Sequence, residues 1–251
     1  MVKPREFKPV GKRLVREVER ELFLGWHPVV PVLLREFSEY LIEGSSIDIA
    51  TKSPSQQVKD MVQQARGLYP HLAINIVDRD PLSLEDLMSL APFEYDNVFI
   101  LPASEGGIAP EDTDSETLLV LLLLRSIRGR TDTMNRRTSI ITQLVGAENE
   151  HLMAETEADD FIISTEFISM LLATLSEDPR LMDVYSEIFS GRGSEIYIKP
   201  AWLYFEEFPV EASFGDLMSA ALARREICFG VRLARHAGDP SRNFGVELNP
   251  D

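Results

Sequence analysis

The sequence predicts a Rossmann-like α/β fold, a doubly wound and mostly parallel sheet followed by a smaller C-terminal α+β lobe. Two observations predict it. Short apolar runs alternate with amphipathic stretches at close spacing through the first two thirds of the chain, as parallel β-α-β crossovers require. After about residue 190 the pattern changes to period-two alternation, the mark of half-exposed strands. The expected organisation is a linker over 1–20, a Rossmann-like lobe over 21–163, connecting helices over 164–190 and the second lobe over 191–251.

The elements follow in order. Glu21-Leu22-Phe23-Leu24-Gly25-Trp26 reads as a short buried strand ending in glycine. Apolar residues at Val29, Val30, Leu33, Leu34, Phe37, Leu41 and Ile42 have helical spacing, and Gly44 is the expected stop. Ser46–Ala50 is the second strand. Ser53-Pro54 opens a helix running to Gly67. Leu72–Val77 and Asn97–Leu101 are further strands, with a short helix near Leu84–Leu90 between them. An acidic loop over 103–115 leads to a long helix capped at Asp114-Ser115-Glu116 and ended by Gly129. Arg137–Leu144 and Asp160–Ile163 read as strands five and six. Helices are expected from Ser164 to Thr174 and from Leu181 to Phe189. In the tail, Glu195–Lys199, Trp202–Phe208 and Glu226–Leu233 read as strands around a helix from Ser213 to Ala223, and 237–251 reads as a loose end.

Composition narrows the function classes. The chain has 251 residues, 44% of them hydrophobic, enough for a packed core. Its 41 acidic and 25 basic residues leave a formal charge of -16. That field repels phosphate backbones and anionic lipid, so nucleic acid is not an expected partner. The single cysteine, Cys228, excludes an internal disulfide and reads as a core thiol on a buried strand. No signal peptide is visible, and the longest apolar run, 118–124, is far short of the roughly 20 residues of a membrane span. This stretch of chain is therefore expected to be soluble and intracellular, without inserting in a membrane.

The first strand-helix turn is where a dinucleotide fold holds pyrophosphate, and that chemistry needs G-x-G-x-x-G. Here the segment is Gly25-Trp26-His27-Pro28-Val29-Val30, with only the first glycine, bulk at the next two positions and a proline lacking an N–H. Ala50-Thr51-Lys52 lacks the acid that would hold ribose hydroxyls. Standard NAD binding is therefore not expected. Another ligand at the carboxyl ends of the strands would meet Gly25, Trp26, His27, Thr51, Lys52, Asp78, Arg79, Pro102, Ala103 and Ser104. The four histidines form no zinc motif, and no serine elbow or P-loop is present. No catalytic residue is assigned. Glu105, Glu111, Asp112 and Asp114 cluster beside glycines and form a candidate divalent-cation site, calcium in particular, without EF-hand spacing. Arg125, Arg128, Arg130, Arg136 and Arg137 form a basic patch. Phe167, Met170, Leu171 and Met182 lie on broad apolar helix faces and are candidate subunit contacts.

Several segments, taken together and in order, resemble the Castor and Pollux ion channel family. Phe23-Leu24-Gly25-Trp26 with Leu41–Ser45 is similar to its "GW…L…APGSE" stretch. Asp114–Ile127 resembles its "DSR/T-L…LLLIRDI" helix, and Asp160–Met170 resembles "DYVLSNELVSMALA". Gly193–Ala201 is similar to "GNEMHIRPA", Ile227–Ala234 to "IVIGYRLA", and Leu248-Asn249-Pro250 to the "INP" that follows. The resemblance implies a cytosolic domain like the regulator of potassium conductance (TrkA-N-like), set after a channel pore. It implies homo-oligomerisation as a dimer or gating ring and response to a cytosolic ligand, and it implies no enzymatic activity. The family's segment continues past Asn249-Pro250, which implies a longer parent chain. The competing expectations are an NAD(P)-dependent oxidoreductase on the same fold and a scaffold that binds no small ligand.

Overall fold

A computed structural model describes residues 16–101, 110–129, 138–144, 160–189, 196–205, 211–237 and 239–250. They fall in two compact units, Arg16–Glu195 and Ile196–Asp251.

The first unit is built on six strands: β1 (Arg20–Leu24), β2 (Ser46–Thr51), β3 (Ala73–Asp78), β4 (Asn97–Ile100), β5 (Ser139–Leu144) and β6 (Asp160–Ile163). Every pairing is parallel, and the order is β3-β2-β1-β4-β5-β6. This is the dinucleotide-fold order, in which the winding reverses between β1 and β4. Strands buried on both faces lose the polar alternation of an exposed sheet, which is why Leu22, Phe23 and Leu24 succeed one another without relief, all 1% exposed or less.

Helices cover both faces. On one side α1 (Val30–Tyr40) and α2 (Gln56–Leu68) bury Val30, Leu34, Val62 and Ala65 against Phe23, Ile47, Ile49 and Ile74. There Phe23, Phe37 and Phe99 form a mutually tilted aromatic trio with centroids 5.2 to 5.7 Å apart. On the other side α3 (Leu84–Leu90) and α4 (Pro110–Arg128) bury Leu87, Leu121 and Leu124 against Leu22, Leu24, Val98 and Ile140. Ser55 and Ser83 open α2 and α3 by accepting the amides of Val58 and Asp86, as N-cap serines do.

Several helix boundaries differ from expectation: α2 starts at Gln56, past the Ser53-Pro54 opening, and the helix from Ser164 runs to Glu177, past Thr174. Helix α1 stops at Tyr40, where Leu41 turns extended, before Gly44 is reached. Helix α4 begins at Pro110 instead of Asp114. A proline at the first helical position gives up an N–H that has no intrahelical partner anyway, so the earlier start carries no penalty. Helices α5 (Ser164–Glu177) and α6 (Leu181–Ile188) complete this unit.

The second unit contains α7 (Phe214–Ala223), opened by a reciprocal capping box between Ser213 and Asp216. It also contains an antiparallel pair, β7 (Gly230–Arg232) with β8 (Val246–Leu248). Among the described residues the strands expected here are largely absent; Glu195 and 206–208 lie outside them. Ile196–Pro200 is irregular and makes no ladder, and Ala201–Tyr204 is a 3₁₀ turn in place of a strand. Strand β7 keeps only three residues of the expected eight, because Arg225 at φ 62° turns the chain and Glu226–Phe229 pairs with no strand. Cys228 is half-buried instead of a core thiol, and Ile227 beside it is 87% exposed. Conversely, Val246–Leu248 is a paired strand where a loose end was expected. Glu226 ties this unit together: it accepts the Tyr204 hydroxyl at 2.6 Å and pairs with Lys199 at 3.2 Å and Arg224 at 3.3 Å.

Two glycines make opposite predictions. Gly25 has φ +98°, and a Cβ there would stand 2.3 Å from the Leu101 carbonyl oxygen. Gly67 sits in α2 with open space around it. Gly25→Ala is expected to cost roughly 2 kcal/mol or more, and Gly67→Ala to gain about 0.5–1 kcal/mol, both read by urea unfolding.

Candidate functional site: the crevice at the strand carboxyl ends

In an open α/β sheet, ligands bind where the winding reverses, outside the carboxyl ends of the strands. Here that place is the mouth between β1 and β4, floored by Gly25 and Leu101. The sheet ladders on both sides of β1 continue to this level. Gly25 N–H donates to Ala50 O at 2.9 Å, and Leu101 N–H donates to Leu24 O at 2.9 Å.

A phosphate held at this point needs unengaged amides at the N-terminus of α1. The sequence removes them one by one. Pro28 and Pro31 have no N–H. Val29 N–H donates to His27 Nδ1 at 3.1 Å, Val30 N–H to His27 O at 2.9 Å, and Val32 N–H to Val29 O at 2.9 Å. The turn is its own ligand. Because Nδ1 accepts, the ring carries its proton on Nε2 and is neutral. Burial lowers the His27 pKa from its ordinary value in the same direction. Trp26 packs against the core on the α1 side of the sheet.

The other expected ligand residues form a network of their own at the ends of β2 and β3. Lys52 pairs with Asp80 at 2.8 Å, and this contact raises the lysine pKa and lowers the aspartate's. Asp78 Oδ1 accepts Ser53 N–H at 2.7 Å. Arg79 Nε donates to Ser89 Oγ at 3.0 Å and lies 3.8 Å from Asp86. Thus Lys52, Asp78 and Arg79 are brought together but already answered by protein groups. Thr51 is the last residue of β2, half-buried. Pro102, Ala103, Ser104 and Glu105 lie outside the described residues.

Of the acidic cluster, Glu111 and Asp112 lie in the first turn of α4, their side chains outside the described set, and Asp114 is 1% exposed. Among the described residues, no group of three or more His, Cys, Asp or Glu is placed to hold a metal ion. In the basic patch, Arg128 lies 4.8 Å over the Phe93 ring and donates to Thr138 O at 3.2 Å. Arg130, Arg136 and Arg137 are outside the description.

At the opposite, amino-terminal ends of the strands the sequence reading missed a polar cluster. Tyr95 OH donates to Asp48 Oδ2 at 2.7 Å, Asn75 Nδ2 donates to Asp48 Oδ1 at 2.8 Å, and the Arg20 guanidinium lies 4.6 Å over the Tyr95 ring. Burial, followed by the Asp48 carboxylate, pushes the Tyr95 phenol up to about 12. An aspartate inside an otherwise apolar strand was the available signal.

Comparison with known proteins adds the decisive observation. Over 243 residues the chain is 26% identical to "Ion channel CASTOR" of Lotus japonicus, covering 86% of this chain and 28% of that protein. It is 27% identical over 244 residues to "Ion channel POLLUX" of the same plant, covering 86% and 26%. This chain is a sequence relative of the Castor and Pollux ion channels. A third relative, "Probable ion channel CASTOR" of Oryza sativa subsp. japonica, is 25% identical over 257 residues, 91% of this chain and 29% of that one. The chain thus spans little more than a quarter of the length of these Castor and Pollux relatives. No protein-family model matches it. Among solved structures, the human SLO3 gating ring aligns at TM-score 0.41 and 13% identity, over 58% of this chain and 24% of that one. A short-chain type dehydrogenase/reductase from Mycobacterium ulcerans aligns at 0.36 and 12%, over 51% and 52%. Neither likeness bears on what this chain does. Among the described residues, no helix is long and apolar enough to cross a membrane.

The His27 cap has a pH signature. A histidine whose folded pKa lies below its unfolded value of about 6.5 contributes fully above that value and loses the contribution as pH falls through the folded pKa. His27→Ala is expected to cost about 1 kcal/mol at pH 8, as loss of a capping acceptor does. Its difference from wild type should shrink below pH 6 in thermal unfolding.

Proposed function

We propose that this chain is the cytosolic, ligand-sensing gating domain of a Castor/Pollux-like cation channel, whether potassium-selective or calcium-linked, and that it works by displacement instead of catalysis. The observation that carries the reading is the relationship to named ion channels over 86% of the chain. The self-satisfied turn at Gly25–Val32 supports it, since a domain that has spent its phosphate-binding amides has little use for a nicotinamide cofactor. In this reading the pore lies in the rest of the parent protein. A cytosolic ligand, with a divalent cation at Glu105, Glu111, Asp112 and Asp114 as the first candidate, biases two arrangements of an assembled ring. A ligand shifts such an equilibrium only by its difference in affinity for the two states.

Assembly uses α5 and α6. Phe167, Met170 and Met182 are 40%, 54% and 52% exposed, with Leu171 half-buried beside them. Phe167 stacks edge-on against Phe189 at 5.9 Å. Exposed apolar side chains grouped on successive helices are the kind of surface that protein interfaces use. A second copy is its occupant, because channel domains surround a common pore.

The chain is expected to sediment as a dimer or larger ring in analytical ultracentrifugation. Phe167→Asp and Met182→Asp are each expected to weaken association about tenfold or more, the equivalent of losing one buried apolar side chain. A monomer at high protein concentration, with and without calcium, would contradict the assembly.

A further inference from the structure

Strand β1 is the centre of the sheet, and its sequence contains one residue that does not belong in a core. Glu21 is 0% exposed. It faces the side of β1 that Phe23 also faces, because side chains alternate along a strand. In register it lies between Ile47 of β2 and Asn97 of β4. Asn97 Nδ2 donates to Glu21 Oε1 at 3.0 Å. Oε2 receives nothing, and among the described residues it is the buried side-chain oxygen or nitrogen without a hydrogen-bond partner.

The surroundings set which form of the acid is tolerable. Among the described residues, the charges that act on Glu21 are both negative, Glu19 from the segment entering β1 and Asp96 just before β4. Ser45, just before β2, and Ile47 within it do not titrate. Arg20 points to the opposite face, over Tyr95, and Arg16 donates to the carbonyls of Glu39 and Tyr40 at the end of α1. The main chain here is fully engaged. Glu19 N–H donates to Ser45 Oγ, Ser46 N–H to Glu19 O, Arg20 N–H to Asp96 Oδ2 and Asp96 N–H to Arg20 O. What remains is the side-chain pair. An ionised carboxylate only accepts, so ionised Glu21 leaves Oε2 an orphan, with no donor bonded to it among the described residues. The protonated acid carries an O–H at Oε2 that the Glu19 carboxylate can accept.

We propose that Glu21 is a proton-operated latch: protonated, it closes a carboxyl-carboxylate bridge to Glu19 across the entry to β1, and ionised, it is driven against Glu19 and Asp96 and loosens the β1–β4 edge at its amino end. The titration range suits a switch. Burial first, then Glu19 and Asp96, push the Glu21 pKa up to about 7, against the opposing hydrogen bond from Asn97. Cytosolic pH is therefore where its occupancy changes. The latch lies at the end of the sheet opposite the closed turn, and it stands whether or not the chain gates a channel.

The sign follows from linkage. An acid whose folded pKa is raised contributes stability fully present below its unfolded value of about 4.5 and lost as pH rises to the folded value near 7. Glu21→Gln keeps the Asn97 contact and supplies a permanent donor toward Glu19. Three measurements test the latch on the intact chain. Urea unfolding of wild type and Glu21→Gln from pH 5 to 8 should show the variant's advantage in unfolding constant growing by up to about tenfold per pH unit to pH 7, then levelling. The wild-type Glu21 carboxyl carbon should titrate near 7 by NMR, a readout that needs no variant. Exchange protection at the Asp96 and Arg20 amides, which join the two sides of this edge, corrected for intrinsic rates, should fall across pH 7 in wild type and hold in the variant. A carboxyl midpoint between 4 and 5, parallel pH profiles for the two proteins, or protection indifferent to pH would each overturn the proposal.

Discussion

The approach of Gly25 to the Leu101 carbonyl is the constraint on which the rest of the first unit depends. It sets β1 beside β4 with no room for a side chain between the strand ends, and it turns the chain so that His27 falls under the N-terminus of α1. From there His27 accepts from the amides of Val29 and Val30. A fold that elsewhere uses this corner to hold pyrophosphate has here converted it into a closed structural turn. Particular residues make the difference: two prolines without an N–H, and an imidazole that accepts the Val29 amide.

What the closed corner leaves is a stiff plate with two cores, one under α1 and α2 and one under α3 and α4. Polar groups are concentrated at the plate's rims. At the carboxyl rim, Lys52, Asp80, Arg79 and Asp86 answer one another. At the amino rim, Asp48 is answered by Tyr95 and Asn75, while Glu21 is answered on one oxygen only. Exposed ion pairs contribute little to stability, whereas a buried half-satisfied carboxyl contributes strongly in one protonation state and opposes folding in the other. The two rims therefore differ in kind.

The sheet was legible because short apolar-rich segments alternate with amphipathic ones: 21–26, 46–50, 97–101 and 160–163 each overlap an observed strand. The order of those strands was not legible, since order is set by crossover packing that no local pattern encodes. In the second unit the same logic misled. Glu195–Lys199 alternates as a strand does, but described residues 196–199 join no sheet ladder, and alternation stabilises nothing without a neighbouring strand. Glu226–Phe229 is apolar enough for a core strand, yet it follows a left-handed Arg225 and leaves Ile227 in solvent. Val246–Leu248 was missed because Gly, Pro and Asn around it mask a three-residue strand whose pairing is long-range. At the crevice, the missing glycines were visible. That His27 itself would satisfy the turn was not, because it requires knowing where Val29 points.

The closed turn can be tested at its own atoms. Backbone amide resonances of Gly25, Trp26, His27, Val29, Val30 and Val32 can be followed by NMR while NADH, and separately inorganic pyrophosphate, is titrated to roughly 1 mM, the weak end of specific affinity. Resonances that stay in place at every concentration are the expected result, since the Gly25, Val29, Val30 and Val32 amides already donate within the sheet and the turn. Saturable shifts concentrated on Val29, Val30 and Val32 would contradict it and return the corner to cofactor chemistry.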